Sequence, residues 1–275
     1  MTYYSKISAA EVEPKVIGII GVDGVSSFDV TSALEPFATA RTSGPISSGQ
    51  RCYETMIIGI DRKSFVCDSG AVINAHHTTR TAPLLDTIII PGGRILRAPE
   101  TRDRIAAWLR DRAQTTRRLA AIGAGIYPLA STGLLKSRHV TTHWRFAPDV
   151  ARTFPELAVS NGVSFTKSEQ FYTCGGGISA MEMSLALIEE DHGPKTAFAV
   201  ARELSIDVRP PGAEQAVELP DYQPGVAERL AELPAWMTTR LRENLTVEAL
   251  AERACLSPRQ FYRLFKQTYG CTPAA

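Results

Sequence analysis

The sequence predicts an α/β fold, a flavodoxin-like, doubly wound and mainly parallel sheet, followed by a C-terminal all-α helix-turn-helix domain. Short, continuously apolar runs such as 15–21, 86–90 and 118–122 alternate with amphipathic helical segments. This alternation is typical of parallel strands that are buried on both faces. A proline-rich stretch at 207–224 then ends the pattern, and only helical periods follow it.

Composition and charge narrow the class of protein. The chain has 275 residues and a formal net charge of +1, so a nucleic-acid interface has to be a local basic surface. Its five cysteines are odd in number and have no CxxC spacing, which favours a reducing cytoplasm and indicates no metal site. Residues 1–14 lack the apolar core of a signal peptide. Since no run reaches about 18 apolar residues, no membrane span is expected.

The elements of the first half follow in order from hydrophobic periodicity. Strands are predicted at 15–21, 53–60, 64–67, 71–74, 86–90, 118–122, 138–141, 163–166 and 170–173, and helices at 26–41, 99–113, 178–190 and 194–204. Asp29 falls at the start of the first helix, just beyond the carboxyl end of the first strand. Its carboxylate has two interpretations, a complement to the helix dipole or a wall of a ligand pocket at the strand ends.

Two glycine turns lie where predicted strands end. Pro91-Gly92-Gly93 closes the strand 86–90, and its amides can approach a ligand or serve as oxyanion donors; a plain tight turn is the alternative. Gly123-Ala124-Gly125 joins the strand 118–122 to a helix, the geometry on which some α/β enzymes mount a nucleophile. The residue at the tip of this turn is Gly123, which has no side chain. The sequence therefore predicts either a plain strand–glycine–helix junction, which this stretch alone favours, or an elbow without its nucleophile.

Two further segments add candidate site residues. His143 follows the short strand 138–141 and is either an acid–base or ligand-binding group or a structural hydrogen bonder. Cys174-Gly175-Gly176-Gly177 opens a long helix, and its backbone can form a nest for a carboxylate or carbonyl oxygen. Cys174 is either a thiol with a lowered pKa or simply a buried cysteine.

The C-terminal part predicts a DNA reader. After the linker 206–224, an amphipathic helix is expected at 225–243, then a short helix at 247–254 and a second one opening at Ser257-Pro258. Phe261, Leu264 and Phe265 are predicted to face inward. The outward face is basic, which favours a helix-turn-helix over a solvated helical hairpin. The predicted DNA-binding residues are Ser257, Arg259, Tyr262, Arg263 and Lys266.

Both halves resemble known families. Residues 245–273, with Leu-Ser-Pro-Arg-Gln-Phe-Tyr-Arg-Leu-Phe-Lys, resemble the first helix-turn-helix of AraC/XylS-type regulators. That family pattern continues into a second helix-turn-helix, and since the sequence ends at Ala275 only the first half of such a domain is expected. Residues 15 to about 205 resemble the PfpI-like, glutamine-amidotransferase-like superfamily through Ile-Ile-Ile-Pro-Gly-Gly93, Ala-Ile-Gly-Ala-Gly125 and Thr-Thr-His-Trp144. The fused order resembles the GlxA-type transcriptional regulators.

The resemblance implies a function. Enzymes of the superfamily carry cysteine where this sequence has Gly123 and an acid where it has Asp29, so an inactive, ligand-sensing and homodimeric domain is expected at 1–205, with the DNA-binding domain at 225–275. The expected partners are double-stranded DNA and a small polar or nitrogen-containing effector, with no cofactor. The predicted pocket residues are Asp29, Gly92, Gly93, Gly123, Ala124, His143, Cys174, Gly175, Gly176 and Gly177.

Two alternatives stay open. One is a hydratase or amidase that uses Cys174 or a water activated by Asp29. The other is a regulator without a ligand, in which the first domain serves only for dimerisation.

Overall fold

A computed structural model describes residues 13–42, 49–160, 163–206, 246–254, 256–269 and 272–273, and the single positions 230, 233 and 237. The chain divides into two compact units, Met1–Val208 and Arg209–Ala275. The predicted linker 206–224, apart from Ile206, lies outside the described residues. So does most of the predicted helix 225–243.

The first unit is built on a mixed, mainly parallel sheet. The described strands are β1 (Lys15–Gly21), β2 (Tyr53–Gly59), β3 (Ser64–Val66), β4 (Val72–Asn74), β5 (His77–Thr78), β6 (Thr87–Ile90), β7 (Arg118–Ile122), β8 (His139–Thr141), β9 (Ala158–Ser160), β10 (Phe165–Ser168) and β11 (Phe171–Cys174). Seven of them form one sheet in the order β10-β11-β7-β6-β1-β2-β5. All its pairs are parallel except β10 with β11. Its five central strands follow the flavodoxin-like order 2-1-3-4-5, which confirms the predicted class.

Helices cover both faces of this sheet. They are α1 (Ser27–Thr39), α2 (Pro99–Arg112), α3 (Ile126–Ser131), α4 (Ala147–Thr153), α5 (Ile178–His192) and α6 (Pro194–Glu203), with 3₁₀ turns at Arg94–Arg97 and Gly123–Gly125. Successive residues of one strand enter opposite cores: Ile89 packs with α1 and α5, whereas Ile88 and Ile90 pack with α2 and α3. This two-sided burial explains why the strands appear in the sequence as unbroken apolar runs.

An ion cluster ties α5 to the amino ends of the strands. Arg118, at the start of β7, donates to Asp191 at 2.8 Å and to Glu190 at 2.9 Å. Asp191 also accepts from the Tyr53 hydroxyl at 2.9 Å. The side chains of Arg118 and Asp191 are 5% and 4% exposed. Separating the partners of a buried pair would leave each charge uncompensated, which is strongly unfavourable. This cluster therefore holds the end of α5 at the start of β7.

The second unit contains α7 (Val247–Arg253) and α8 (Pro258–Tyr269). Leu250, Ala251, Ala254 and Phe261 are buried between the two helices, together with Leu230 and Leu233. Phe261 was predicted to face inward and is fully buried, whereas Leu264 and Phe265 are partly buried beside it. The two helices of the predicted helix-turn-helix are therefore present and packed together.

Most predicted boundaries agree with the structure to within two residues. The hairpin predicted at 163–166 and 170–173 lies slightly later, as β10 and β11, because its two-residue turn is Glu169–Gln170, with Glu169 at φ 55°. The short strands β5 and β9 were not predicted, since two or three residues are too few to show periodicity. Within the described ranges, no helix has the length and apolarity that a bilayer crossing requires.

Candidate functional site

Asp29 lies at the point where the strand order reverses, between β1 and β6. Ser26 caps α1 by accepting from the Asp29 amide at 3.2 Å, which places Asp29 in the first helical turn. Its Oδ2 accepts from the Gly92 amide at 3.0 Å, and its Oδ1 accepts from the Gly177 amide at 2.8 Å. One carboxylate therefore joins the loop after β6 to the loop that opens α5. This is the crevice where open α/β sheets bind ligands.

Burial and hydrogen bonding act on Asp29 in opposite directions. The residue is only 8% exposed. Burial raises its pKa above the ordinary value, although the amides of Gly177 and Gly92 favour the ionised form and reduce the rise. The nest predicted at Cys174–Gly177 thus holds a carboxylate of this same chain. The amide of Gly92, predicted as an oxyanion donor, is likewise engaged by Asp29.

The turn after β7 joins the strand to a helix through the 3₁₀ turn Gly123–Gly125, as both interpretations of this stretch predicted. Gly123 adopts φ 51°, in the left-handed region that favours glycine. A Cβ built on Gly123 would lie 3.4 Å from the Gly175 oxygen, 3.9 Å from Asp29 Oδ2 and 4.0 Å from the His143 Cβ. These are ordinary contacts, so the position has room for a side chain that the sequence does not supply. Thr142 supports the turn by donating to the Gly123 oxygen at 2.8 Å.

A cavity of about 450 Å³ lies beside this turn. Its walls come from the segment after β8, the start of α4 and the loop before α5. They are formed by Thr141, Thr142, His143, Trp144, Ala147, Pro148, Val163, Gly175, Gly176 and Ser179. His143 is the only titratable side chain among these described lining residues. The cavity is therefore suited to a small molecule that is bound by hydroxyl, imidazole and backbone groups.

The hydrogen bonding of His143 determines the tautomer of its neutral ring. Its Nδ1 accepts from the Arg145 amide at 3.2 Å, so a neutral His143 carries its proton on Nε2. The imidazole ring stacks on Trp144, with ring centroids 5.5 Å apart. Trp144 is 71% exposed.

Cys174 does not have the environment of a reactive thiol. It is wholly buried in the core beneath α1 and α5. Burial raises the pKa of its thiol, and the nearby Asp29 raises it further, whereas a hydrogen bond from the Gly176 amide opposes the rise. At neutral pH the thiol is protonated, so the buried interpretation of Cys174 fits the structure and the nucleophile interpretation does not.

The predicted pocket residues fall into two groups. His143, Gly175 and Gly176 line the cavity. The structure does not place the other predicted residues in the lining; they are Asp29, Gly92, Gly93, Gly123, Ala124, Cys174 and Gly177. Sequence reasoning missed most of the wall, including Trp144, Ala147 and Ser179. The one available signal was the position of Thr141, Thr142 and Trp144 directly beside His143.

The helix α8 begins with a reciprocal cap that was only half predicted. Ser257 Oγ accepts from the Gln260 amide at 3.4 Å, as expected of a capping serine. Gln260 Oε1 in turn accepts from the Ser257 amide at 3.2 Å and from the Ser257 hydroxyl at 2.9 Å. This is a capping box of the Ser-x-x-Gln type. The Ser257 hydroxyl, predicted to contact DNA, is thus engaged in this cap.

The outward face of α8 is basic. Arg259, Tyr262, Arg263 and Lys266 are all exposed, at the i, i+3, i+4 and i+7 spacing of one helix face. The helix contains no aspartate or glutamate. This face therefore presents positive charge and hydrogen-bond donors without a competing carboxylate on the same helix.

Comparison with known proteins agrees with both halves of this description. The sequence model of the DJ-1/PfpI family matches residues 15–190. The model of bacterial regulatory helix-turn-helix proteins of the AraC family matches residues 240–275. The chain is 28% identical over 274 residues to the HTH-type transcriptional regulator GbdR of Pseudomonas aeruginosa, which covers 99% of this chain and 73% of that protein. It is 26% identical over 257 residues to the HTH-type transcriptional regulator GlxA of Rhizobium meliloti, with 92% and 77% covered.

The fold of the larger unit also has solved counterparts. The crystal structure of an AraC family transcriptional regulator from Pseudomonas putida superposes with a TM-score of 0.61 at 21% identity, covering 70% of this chain and 100% of that one. The resemblances inferred from the sequence are thereby confirmed for both halves. This chain belongs to the DJ-1/PfpI family and carries an AraC-family helix-turn-helix segment at its C-terminal end.

Proposed function

We propose that this chain is a DNA-binding regulator of transcription whose DJ-1/PfpI domain binds a small polar or nitrogen-containing metabolite. The proposal rests on the exposed basic face of α8, a helix that is anchored by its buried residue Phe261. Arginine pairs bidentately with guanine in the major groove, and lysine contacts phosphate. Relatives that align with nearly the whole chain are HTH-type transcriptional regulators.

A binding role for the DJ-1/PfpI domain fits its site better than a catalytic one. The elbow carries Gly123, and the nearby cysteine, Cys174, is buried with a raised thiol pKa. Asp29 accepts from the amides of Gly92 and Gly177, so its carboxylate has a structural role that requires no catalysis. The cavity, in contrast, keeps a volume of about 450 Å³ for a small molecule.

We further propose that the regulator is a homodimer. Phe28 and Ile178 are 54% and 64% exposed although both are large and apolar. They lie at the starts of α1 and α5, which the Asp29 carboxylate holds together. Exposed apolar surface of this kind is typical of an interface. Sedimentation velocity of the wild type and of Phe28→Ser tests this: a monomer at micromolar wild-type concentration contradicts the proposal.

Signalling requires that the ligand favour one arrangement of the DNA-binding units over another. A ligand shifts such an equilibrium only by its differential affinity, which is typically about 1–3 kcal/mol. We propose that the segment 206–224, which joins the two predicted domains, transmits the effect of the ligand to the DNA-binding domain.

The direct test is binding of the chain to its own upstream DNA and to a random duplex of equal length, across a salt series. The proposal predicts tighter binding to the upstream DNA, with a preference that persists as salt weakens both complexes. Equal affinity for the two duplexes at every salt concentration would contradict a role as a sequence-specific regulator.

A further inference from the structure

Four exposed arginines lie on two neighbouring segments of the larger unit, the 3₁₀ turn after β6 and the segment that leads into and through α4. They are Arg94, Arg97, Arg145 and Arg152. We call these four residues, together with Asp149, the α4 basic surface. Four guanidinium groups and one carboxylate give this surface a net charge of +3, whereas the whole chain has a formal net charge of only +1. Positive charge is therefore concentrated on this surface and not spread evenly over the chain.

Asp149 brings two of these arginines together. Arg97 donates to one oxygen of the Asp149 carboxylate at 3.0 Å, and Arg152 donates to the other oxygen. The hydroxyl of Tyr127 donates to the same carboxylate. The side chain of Asp149 is 19% exposed, whereas those of Arg97 and Arg152 are 47% and 79% exposed. The carboxylate is thus covered by its donors, and the charge that faces solvent is mainly that of the guanidinium groups.

The other two arginines lie beside this pair in the structure. The guanidinium carbon of Arg97 is 5.8 Å from the ring centre of Phe146, the residue that directly follows Arg145. Arg145 in turn lies over the ring of Trp144, at 5.0 Å from its centre. Arg94 begins the 3₁₀ turn that Arg97 ends, and residues three apart in such a turn lie on the same side. Stacking on aromatic rings restricts Arg97 and Arg145 without removing their charge.

We propose that the α4 basic surface binds phosphates of a DNA duplex, as a second contact besides the outward face of α8. This inference rests on the proposed function, which makes DNA the partner of the chain. Exposed guanidinium groups that are spread over two segments match an extended polyanion, in which each cation meets its own phosphate. Asp149 is the one carboxylate in residues 93–98 and 143–154, and its contacts with two arginines offset its repulsion of DNA. Such phosphate contacts add affinity without sequence preference.

Removal of three charges from this surface tests the proposal in the full chain. Arg97 is kept, because it also ties the two segments together through Asp149. The surface variant combines Arg94→Gln, Arg145→Gln and Arg152→Gln. The control variant removes the same charge from exposed arginines elsewhere in the larger unit, with Arg51→Gln, Arg80→Gln and Arg202→Gln. Thermal melting checks that both variants are folded, and fluorescence anisotropy across a salt series gives their affinity for a random duplex.

We expect the surface variant to bind the random duplex at least about tenfold more weakly than the wild type, with the slope of log affinity against log salt concentration lowered by about two to three. The control variant should stay close to the wild type in both quantities. Lysine in place of glutamine at the three surface positions should restore the slope, because phosphate also binds a point charge. No loss in the surface variant, or equal losses in the surface and control variants, overturns the proposal.

The same titrations distinguish this inference from the proposed function. The ratio of the affinities for upstream and random DNA reports on base reading by α8, and the surface variant should keep the wild-type ratio because phosphates carry no sequence information. A wild-type ratio of one would contradict the sequence-specific regulator. The difference between the surface and control variants on random duplex would still decide whether the α4 basic surface binds DNA.

Discussion

The carboxylate of Asp29 accepts a hydrogen bond from the amide of Gly177 at 2.8 Å, across 148 positions of the chain. Its other oxygen accepts from Gly92. Asp29, which the sequence suggested as a ligand contact, therefore also links α1 to the loop after β6 and to the start of α5.

Replacing Asp29 with alanine should destabilise the larger unit. The change leaves the buried amide of Gly92 and the partly buried amide of Gly177 without their acceptor, and we expect a loss of about 2 kcal/mol in the free energy of unfolding. Urea denaturation measures it. Asp103→Ala, which removes an aspartate that is 59% exposed, is the control and should cost less than about 0.5 kcal/mol. A loss in Asp29→Ala no greater than that of the control would show that the carboxylate does not hold these elements together.

Cys174 should resist alkylation in the native protein. It is fully buried and burial raises its thiol pKa, so iodoacetamide should modify it only after unfolding. Mass spectrometry of the tryptic peptide gives the modified fraction under native and denaturing conditions. Rapid native modification would restore the thiol-enzyme alternative, and loss of a measured hydratase or amidase turnover in Cys174→Ala would establish it.

Stability should fall as the pH falls from about 4 to about 2. Burial by itself raises the pKa of Asp191, but hydrogen bonds from Arg117 and Arg118 outweigh it and hold the pKa at about 2, below the ordinary 3.8. Because the pKa of Asp191 is lower in the folded chain than in the unfolded chain, its ionised form stabilises the fold by about 2 kcal/mol. This stabilisation is fully present above the unfolded-state pKa and is lost as the pH falls through the folded-state pKa.

Urea unfolding over that pH range measures this contribution. Asp191→Asn should be less stable throughout, because the buried Arg118 keeps only Glu190 as a charged partner, and should show a shallower dependence on pH. An identical slope in the variant and the wild type would mean that other carboxyl groups dominate acid unfolding.

The capping box of α8 gives a prediction for the smaller unit. Gln260→Ala removes the acceptor for the Ser257 amide and should destabilise α8 by about 1 kcal/mol. Gln267→Ala changes an exposed glutamine on the same helix and is the matched control. Thermal unfolding followed by helix circular dichroism compares them. Equal melting temperatures for the two variants would show that the reciprocal cap does not stabilise α8.

Arg263 and Lys266 should affect DNA binding differently. Arg263→Ala should cost about 1–3 kcal/mol on the upstream DNA and much less on random duplex, because a base contact is lost. Lys266→Ala should weaken binding to both duplexes alike. It should also lower the slope of log affinity against log salt concentration by about one, as expected for the loss of one phosphate contact. Fluorescence anisotropy across a salt series distinguishes them. Equal losses on both duplexes for Arg263→Ala would contradict base reading.

The sequence predicted the layers of the fold well because the signals are local. Ile88, Ile89 and Ile90 are unbroken because both faces of β6 are buried, and Ser257-Pro258 marks a helix start by itself. The partners of Asp29 were not predictable, since glycine amides are identical in sequence and only the folded loops decide which ones the carboxylate meets. Trp144 and Ser179 line the same cavity because the fold brings the segment after β8 close to the start of α5, which no short motif encodes.

Coupling between the cavity and DNA tests the central claim most directly. Affinity for the upstream DNA is measured with and without a deproteinised small-molecule extract of the source cells, for the wild type, His143→Ala in the cavity wall and the control His139→Ala, an exposed histidine outside that wall. Sensing through the cavity predicts that the extract changes the affinity of the wild type and His139→Ala at least about fivefold and leaves His143→Ala unaffected. An unchanged affinity in all three proteins, or an equal change in all three, would contradict it.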